Sequence, residues 1–249
     1  MRFHDKKILF FDAHFARLKQ GLDLLKMSPA KGIHKNYITE ACKELAEKNK
    51  IKKDGRIRLQ FYRNEGGFYA PLSSEASFIL SISPIEDSSY RLNERGLRIG
   101  VFDTIKKSKN ILSCLKTSAA MLYVLAGLSA REKDVDECII LNEDGGISET
   151  TKSNIFMVKQ GIFYTPPLSD AGLPGIMRNQ LIEILREEGK QIVERSILPS
   201  EIKSFDEIFL SNAILGIEWV MGYESKRFYH KHADWLIKKL NQKVKEVSI

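Results

Sequence analysis

Cysteine, proline and long apolar runs are all scarce in this sequence, and each scarcity excludes a class of protein. There are three Cys and seven Pro in 249 residues. Cys42, Cys114 and Cys138 are odd in number and widely spaced, with no C-x-x-C pair, which excludes a disulfide scaffold and suits reduced thiols in the cytoplasm. His4, His34, His230 and His232 lack a converging metal-ligand spacing, so they are assigned to the surface and no metal is expected. The apolar run from Met121 to Leu128 falls far short of the roughly 20 residues a membrane helix needs, and the first residues carry no signal-peptide pattern. A soluble protein with no membrane partner is expected.

What is present is enough to build two modest cores. Apolar residues make up 43% of the chain, and a chain of this size buries about 70–75% of the surface its unfolded form exposes. The formal net charge of +7 raises the reading of a basic nucleic-acid-binding module. Its distribution argues otherwise. Positive charge lies in mixed runs such as Lys43-Glu44-Leu45-Ala46-Glu47-Lys48, the pattern of a solvated helix face. An anionic small ligand is compatible with either distribution.

Periodicity predicts a helix carrying Phe15, Leu18, Leu22 and Leu25 after Asp12 as N-cap, stopped by Ser28-Pro29, and a second helix over Tyr37 to Lys48. After the Asp54-Gly55 turn signal, Ile57, Leu59 and Phe61 alternate with polar residues as a half-buried strand, with Ser77 to Ser83 as its partner. The turn-rich stretch that follows marks a boundary, giving a small N-terminal domain over 1–84, a linker over 85–93 and a larger domain over 94–249. In the second part a helix is expected over Leu115 to Leu128, then strands over 138–141, 154–158 and 162–165. A helix over 176–188, strands over 191–196 and 207–210, and a final helix bearing Leu236, Ile237, Leu240 and Val244 complete the reading. The class is α+β, in two domains.

Lys116 enters an otherwise apolar helix that continues through Met121, Leu122, Val124 and Leu125. Apolar surroundings destabilise an ammonium and favour a nucleophilic amine able to form a Schiff base, whereas a lysine that snorkels to water is the plain alternative. Glu149 places a carboxylate beside a strand. Leu173-Pro174-Gly175-Ile176-Met177-Arg178 reads as a loop ending at a helix start, where unpaired N–H groups and the dipole favour a phosphate. Each of these has a structural reading: Glu149 a surface carboxylate, Gly175 a turn, Arg178 a solvated first-turn residue. Lysine, carboxylate and phosphate site in this order are three parts that pyridoxal phosphate requires.

The chain resembles the fold-type IV, or class IV, pyridoxal-phosphate enzymes. The resemblance runs from His14-Phe15-Ala16-Arg17-Leu18, similar to the family's H-x-x-R-L helix, through Lys116, Glu149, Ser153-Asn154-Ile155-Phe156, Thr165-Pro166 and Gly175-Ile176-Met177-Arg178, to Asp206 through Ala213. It implies a small N-terminal α/β domain and a larger C-terminal pseudo-barrel domain. It also implies that Lys116 holds the cofactor as a Schiff base and moves the substrate proton, and that Glu149 faces the pyridine nitrogen. Arg17 then binds the phosphate with the backbone of Ile176 and Met177 and the groups of Asn212, Ala213 and Ile214.

Members of the family differ in few contacts. D-amino acid aminotransferases carry an Arg-x-His carboxylate trap where this chain has Phe68 and Ala70. Branched-chain aminotransferases place a small residue and Thr where this chain has Asn212-Ala213, and Tyr five residues after the lysine, where Met121 stands. The wording here is similar to 4-amino-4-deoxychorismate lyase, with Arg63 and Tyr69 as candidate substrate contacts. A small-molecule amino substrate, a homodimer, a cytoplasmic location and no nucleic-acid partner follow from the resemblance. So does a missing front of the first domain, because Met1-Arg2-Phe3 begins where the family's first active-site strand is finishing.

Overall fold

The computed structural model describes residues 1–29, 33–51, 53–86 and 89–247. Asp87 and Ser88, part of the 85–93 segment read as a linker, lie outside the described residues. The chain divides into two compact units, residues 1–89 with 244–249, and residues 90–243. The sequence reading had instead placed everything after residue 93 in the second.

The first unit contains β1 (Arg2–His4), β2 (Lys7–Ile8), α1 (Phe11–Leu24), β3 (Ser28–Pro29), α2 (Lys35–Lys48), β4 (Asp54–Arg63) and β5 (Glu75–Pro84). Its strands form one sheet in the order β2-β1-β4-β5-β3. β4 and β5 pair antiparallel with Leu59 opposite Leu80, so their alternation delivers one apolar face. Ile38, Cys42 and Ala46, four residues apart on α2, close that face with Phe3, Ile57 and Ile82. Two helix starts move from the sequence reading. Asp12 lies inside the first turn of α1 rather than capping it, and its carboxylate meets Lys35 Nζ at 2.6 Å. α2 starts two residues early because the His34 imidazole caps it, accepting from the Tyr37 amide at 3.1 Å.

The second unit contains β6 (Leu97–Lys107), α3 (Met121–Glu132), β7 (Glu137–Asn142), β8 (Ile147–Thr150), β9 (Asn154–Lys159), β10 (Ile162–Thr165), α4 (Ile176–Glu187), β11 (Ile192–Glu194), β12 (Glu207–Asn212), β13 (Gly216–Tyr223), β14 (Lys226–Arg227) and most of α5 (Lys231–Val247). The main sheet runs β11-β10-β9-β12-β13-β6-β7-β8. β8, at one edge, is joined by residues 151–153 to β9, third from the other edge, so the sheet curls back on itself as a pseudo-barrel. Its interior is filled by Ile99, Ile139, Leu141, Ile147, Ile155, Met157, Ile208, Leu210 and Val220. Residues on the opposite face of the same strands, Phe102, Cys138 and Ile140, pack on Ala126 and Ala130 of α3. Phe156 and Phe209 stack with centroids 5.1 Å apart on the outer face.

Two differences from the sequence reading bear on function. α3 begins at Met121, not Leu115. Asn110 caps a 3-10 turn over Ile111–Cys114, Leu115 is extended, and Thr117 Oγ1 accepts from the Ala119 amide, so local side-chain bonds displace the helix. Neither β6 nor β13 is among the strands that the sequence pattern predicts. β6 also departs from regular pairing: Phe102 pairs with Ile140 and Lys107 with Asn142, so five steps along β6 match two along β7. The surplus residues leave the ladder as an excursion.

Candidate cofactor site

Glu149 sits on β8 opposite Ile140, on the face that α3 covers, and is buried. Its Oε1 accepts from Lys107 Nζ at 2.5 Å and from the Tyr123 hydroxyl at 2.6 Å. Its Oε2 accepts from the Leu173 amide at 3.0 Å. The Lys107 and Glu149 side chains are 8% and 6% exposed, so this is a buried ion pair, in which loss of either partner leaves an uncompensated charge. Lys107 Nζ also lies over the Tyr123 ring, 5.4 Å from its centroid. Burial, then the charge of Glu149, then its hydrogen bond raise the Tyr123 phenol far above its ordinary pKa, so it remains a donor.

Leu173 links that carboxylate to the start of α4. Its carbonyl accepts from Asn154 Nδ2 at 2.9 Å and from the Gly175 amide at 2.7 Å. Gly175 is the N-cap of α4 and carries no side-chain cap. A Cβ there would lie 1.9 Å from Asn154 Oδ1, so glycine is what lets Asn154 keep this position. The first helical bond runs from the Asn179 amide to the Gly175 carbonyl at 3.1 Å. The amides of Ile176 and Met177 therefore head the helix without an intrahelical acceptor.

Asn154 also begins β9, next to Ser153, whose hydroxyl accepts from Asn212 Nδ2 at 3.0 Å. Asn212 Oδ1 accepts from the Ile214 and Leu215 amides at 3.0 and 2.9 Å, an Asx turn that holds the loop between β12 and β13. The sequence reading offered Ile214 as a phosphate ligand; its amide is engaged by Asn212. Tyr90 closes the loop from outside, its hydroxyl donating to the Ala213 carbonyl at 3.1 Å, and Gly216, at φ 75°, allows its ring to approach. Thr150 fastens the β8–β9 turn by donating twice to the Ser153 carbonyl, from its amide at 2.8 Å and its hydroxyl at 3.1 Å.

Glu149, Ile176, Met177, Asn212, Ala213 and Ile214 thus belong to one hydrogen-bonded assembly. Lys116 lies outside a helix and is exposed, on the segment between the 3-10 turn and α3. This corrects the expectation that it enters an apolar helix; among the described residues the buried lysine is Lys107. Arg17 sits half-buried on α1 of the first unit, where burial lowers its guanidinium pKa. Arg63, read as a substrate contact, donates to the Leu25 carbonyl at 2.5 Å and the Lys26 carbonyl at 3.2 Å, capping the end of α1. Tyr69 is wholly exposed on the β4–β5 connection. Arg178 is not solvated: it is buried and donates to Pro166 O at 3.0 Å and Glu194 Oε2 at 2.7 Å. Two histidines assigned to the surface instead meet buried carboxylates, His4 with Asp54 and His232 with Glu207, each at 2.8 Å.

The residues present fit a phosphorylated pyridine. A helix start kept bare by glycine suits a phosphate, and a buried carboxylate with acceptor capacity left on Oε2 suits a protonated ring nitrogen. Ser211 Oγ, buried beside Asn154 without a partner, is a further polar group there.

Comparison with known proteins agrees with that chemistry. The family model described as amino-transferase class IV matches residues 1–220. The chain belongs to this family, whose members are pyridoxal-phosphate-dependent enzymes. A protein of Methanocaldococcus jannaschii, provisionally assigned as a branched-chain-amino-acid aminotransferase, is 31% identical over 153 residues, 61% of this chain and 50% of that protein. The aminodeoxychorismate lyase of Vibrio harveyi is 28% identical over 169 residues, 67% of this chain and 62% of the lyase. The chain thus spans half to somewhat under two thirds of these relatives. A solved structure from Legionella pneumophila, provisionally assigned as 4-amino-4-deoxychorismate lyase, matches with a TM-score of 0.87 at 24% identity, covering 97% of this chain and 88% of that one. This likeness establishes the fold-type IV architecture, two half-barrel sheets with helices.

Proposed function

We propose that this chain is a 4-amino-4-deoxychorismate lyase, acting on a small amino substrate to release pyruvate and leave 4-aminobenzoate. The observation that carries the cofactor reading is the β8–β9 turn, which ties the Glu149 carboxylate, the bare start of α4 and the Asn212 turn into one assembly. Bound pyridoxal phosphate supplies an electron sink for the carbon that bears the substrate amine. Glu149 would hold the ring-nitrogen proton, the amides of Ile176 and Met177 would bind the phosphate, and Lys116 would carry the cofactor and take the substrate proton. In the lyase reaction that proton would leave the amine-bearing carbon, the C–H electron pair would become the double bond that completes the aromatic ring, and the neighbouring carbon–oxygen bond would break with its pair on the departing enolpyruvate, which takes up a proton to become pyruvate.

The Asn212-Ala213 pair and the absence of an Arg-x-His trap around Phe68 and Ala70 favour the lyase. The Methanocaldococcus relative keeps a branched-chain-type aminotransferase as the second reading. Chromatographic detection of 4-aminobenzoate from aminodeoxychorismate, beside keto-acid exchange with leucine and glutamate, separates the two. Exchange without aminobenzoate would overturn the lyase assignment.

A cytoplasmic homodimer is part of this reading. Ile111, Leu112, Met121, Val124 and Leu128 are exposed along the 3-10 turn and α3, an apolar stripe suited to a second copy. Light scattering returning a monomer for the active species would refute the dimer.

A further inference from the structure

We propose that Lys107 and Tyr123 are positioning residues for Glu149: together they occupy Oε1, leaving Oε2, beside the Leu173 amide, as the oxygen that meets the ring nitrogen of a bound cofactor. The inference rests on the cofactor reading above and deepens it. A carboxylate offers about four acceptor positions, two on each oxygen. Lys107 at 2.5 Å and Tyr123 at 2.6 Å fill those of Oε1, and Leu173 at 3.0 Å fills one of the two on Oε2. One acceptor position remains, on the oxygen tied to the chain that leads into α4.

Stability alone does not account for this arrangement. Ile140, the ladder partner of Glu149, forms an apolar cluster with Phe102, Ala126, Ala130 and Cys138, and Tyr123 packs against it. A buried ion pair in such surroundings is often matched or surpassed by well-packed apolar residues. Yet the chain departs from regular pairing between Phe102 and Lys107 and resumes the ladder at Lys107 itself. Tyr123 comes from a different element, and neither donor group can rotate away without leaving the other facing a buried carboxylate. The outcome is a carboxylate with fixed orientation and matched charge.

The test uses the holoenzyme of the full chain with Lys107→Met, Lys107→Arg and Tyr123→Phe. Borohydride reduction and peptide mapping first locate the lysine that carries the cofactor. Label on Lys116 is expected; label on Lys107 would overturn the positioning role. With Lys116 labelled, K107M should lower kcat about ten- to hundredfold with KM little changed and shift the visible band of the bound cofactor, the size expected for losing a charged donor. K107R should restore both, and Y123F should lie between. A K107M enzyme with wild-type kcat and spectrum, or a K107R enzyme as impaired as K107M, would overturn the proposal while leaving the cofactor reading intact. A second readout is independent of the cofactor. In the cofactor-free chain, K107M and E149Q should each lower Tm and the double variant should fall no further than one of them; additive losses would refute the pairing even if no cofactor binds.

Discussion

Gly175→Ala tests the junction between the carboxylate and the start of α4. The glycine has φ −67° and ψ 132°, a conformation open to any residue, so an added methyl brings no backbone strain. It does bring a collision, at 1.9 Å from Asn154 Oδ1 and 3.1 Å from Asn154 Cγ. The available relief is rotation of Asn154, which abandons its 2.9 Å bond to Leu173 O. A lost hydrogen bond costs about 1 kcal/mol and a buried amide left unsatisfied about 1–3 kcal/mol, so G175A should destabilise by roughly 2–3 kcal/mol. In an Asn154→Ala background the collision is gone. There the gain of about 0.4–1 kcal/mol from a stiffer unfolded chain is offset by alanine's poorer capping, of similar size, and the substitution should be close to neutral. Urea denaturation of the wild type, both single variants and the double variant measures the coupling, about 2–3 kcal/mol, equivalent to roughly 5–10 °C in Tm for a chain of this length. Additive single effects would refute the geometry.

Other substitutions probe separate parts of the molecule. Lys116→Ala should abolish the visible band and turnover, and full activity in that variant would sink the cofactor reading; Glu149→Gln should retain cofactor on dialysis and lose rate by orders of magnitude. Arg178→Met leaves Glu194 facing an apolar side chain and should cost about 2–4 kcal/mol in urea, discounted because Glu194 is 35% exposed, with partial recovery on adding Glu194→Gln. Burial raises the Glu218 carboxyl above its ordinary value, assisted by Glu137 and Asp136 and opposed by Lys152, and its Oε2 is buried without a partner. An acid raised in the folded state binds more protons there than in the unfolded chain, so it favours folding at low pH and loses that contribution as pH rises above the ordinary carboxylate value. Glu218→Gln should therefore raise Tm near pH 7 and make no difference near pH 4; a constant difference across that range would contradict the assignment.

Much of the site was legible because its residues are local in sequence. Glu149, Ser153 and Asn154 lie on one hairpin, and Gly175 with Ile176 marks a helix start by residue type alone. The strands that complete the barrel were harder to see for a physical reason. β13 buries Ile217 on one face and Val220 on the other, so no apolar alternation survives to announce it. Lys107 was invisible for a related reason: counting alternate residues from Ile99 fails across the excursion after Phe102, and only the paired register shows where the strand resumes. The surroundings of Lys116 differ from the reading because Thr117 Oγ1 accepts from the Ala119 amide and the Ser118 carbonyl accepts from the Ala120 amide where the apolar pattern asks for a helix. Arg63 illustrates the converse: the resemblance offers it as a substrate contact, and its guanidinium instead meets the carbonyls at the end of α1.

The β8–β9 turn has a consequence for what the site can measure. Glu149 and Ser153 are four residues apart on a turn locked by Thr150, and Ser153 in turn holds the Asn212 loop. On the proposed cofactor reading, the carboxylate that meets the ring nitrogen and the hydroxyl that anchors the Asn212 loop are thus held apart by a short run of chain, and hydrogen bonds carry that spacing on to the loop and to the start of α4. On that reading the turn works as a ruler, and the molecule it admits is set by length before any question of affinity arises. Selection for a different substrate can then act on side chains elsewhere while the gauge for the cofactor stays the same.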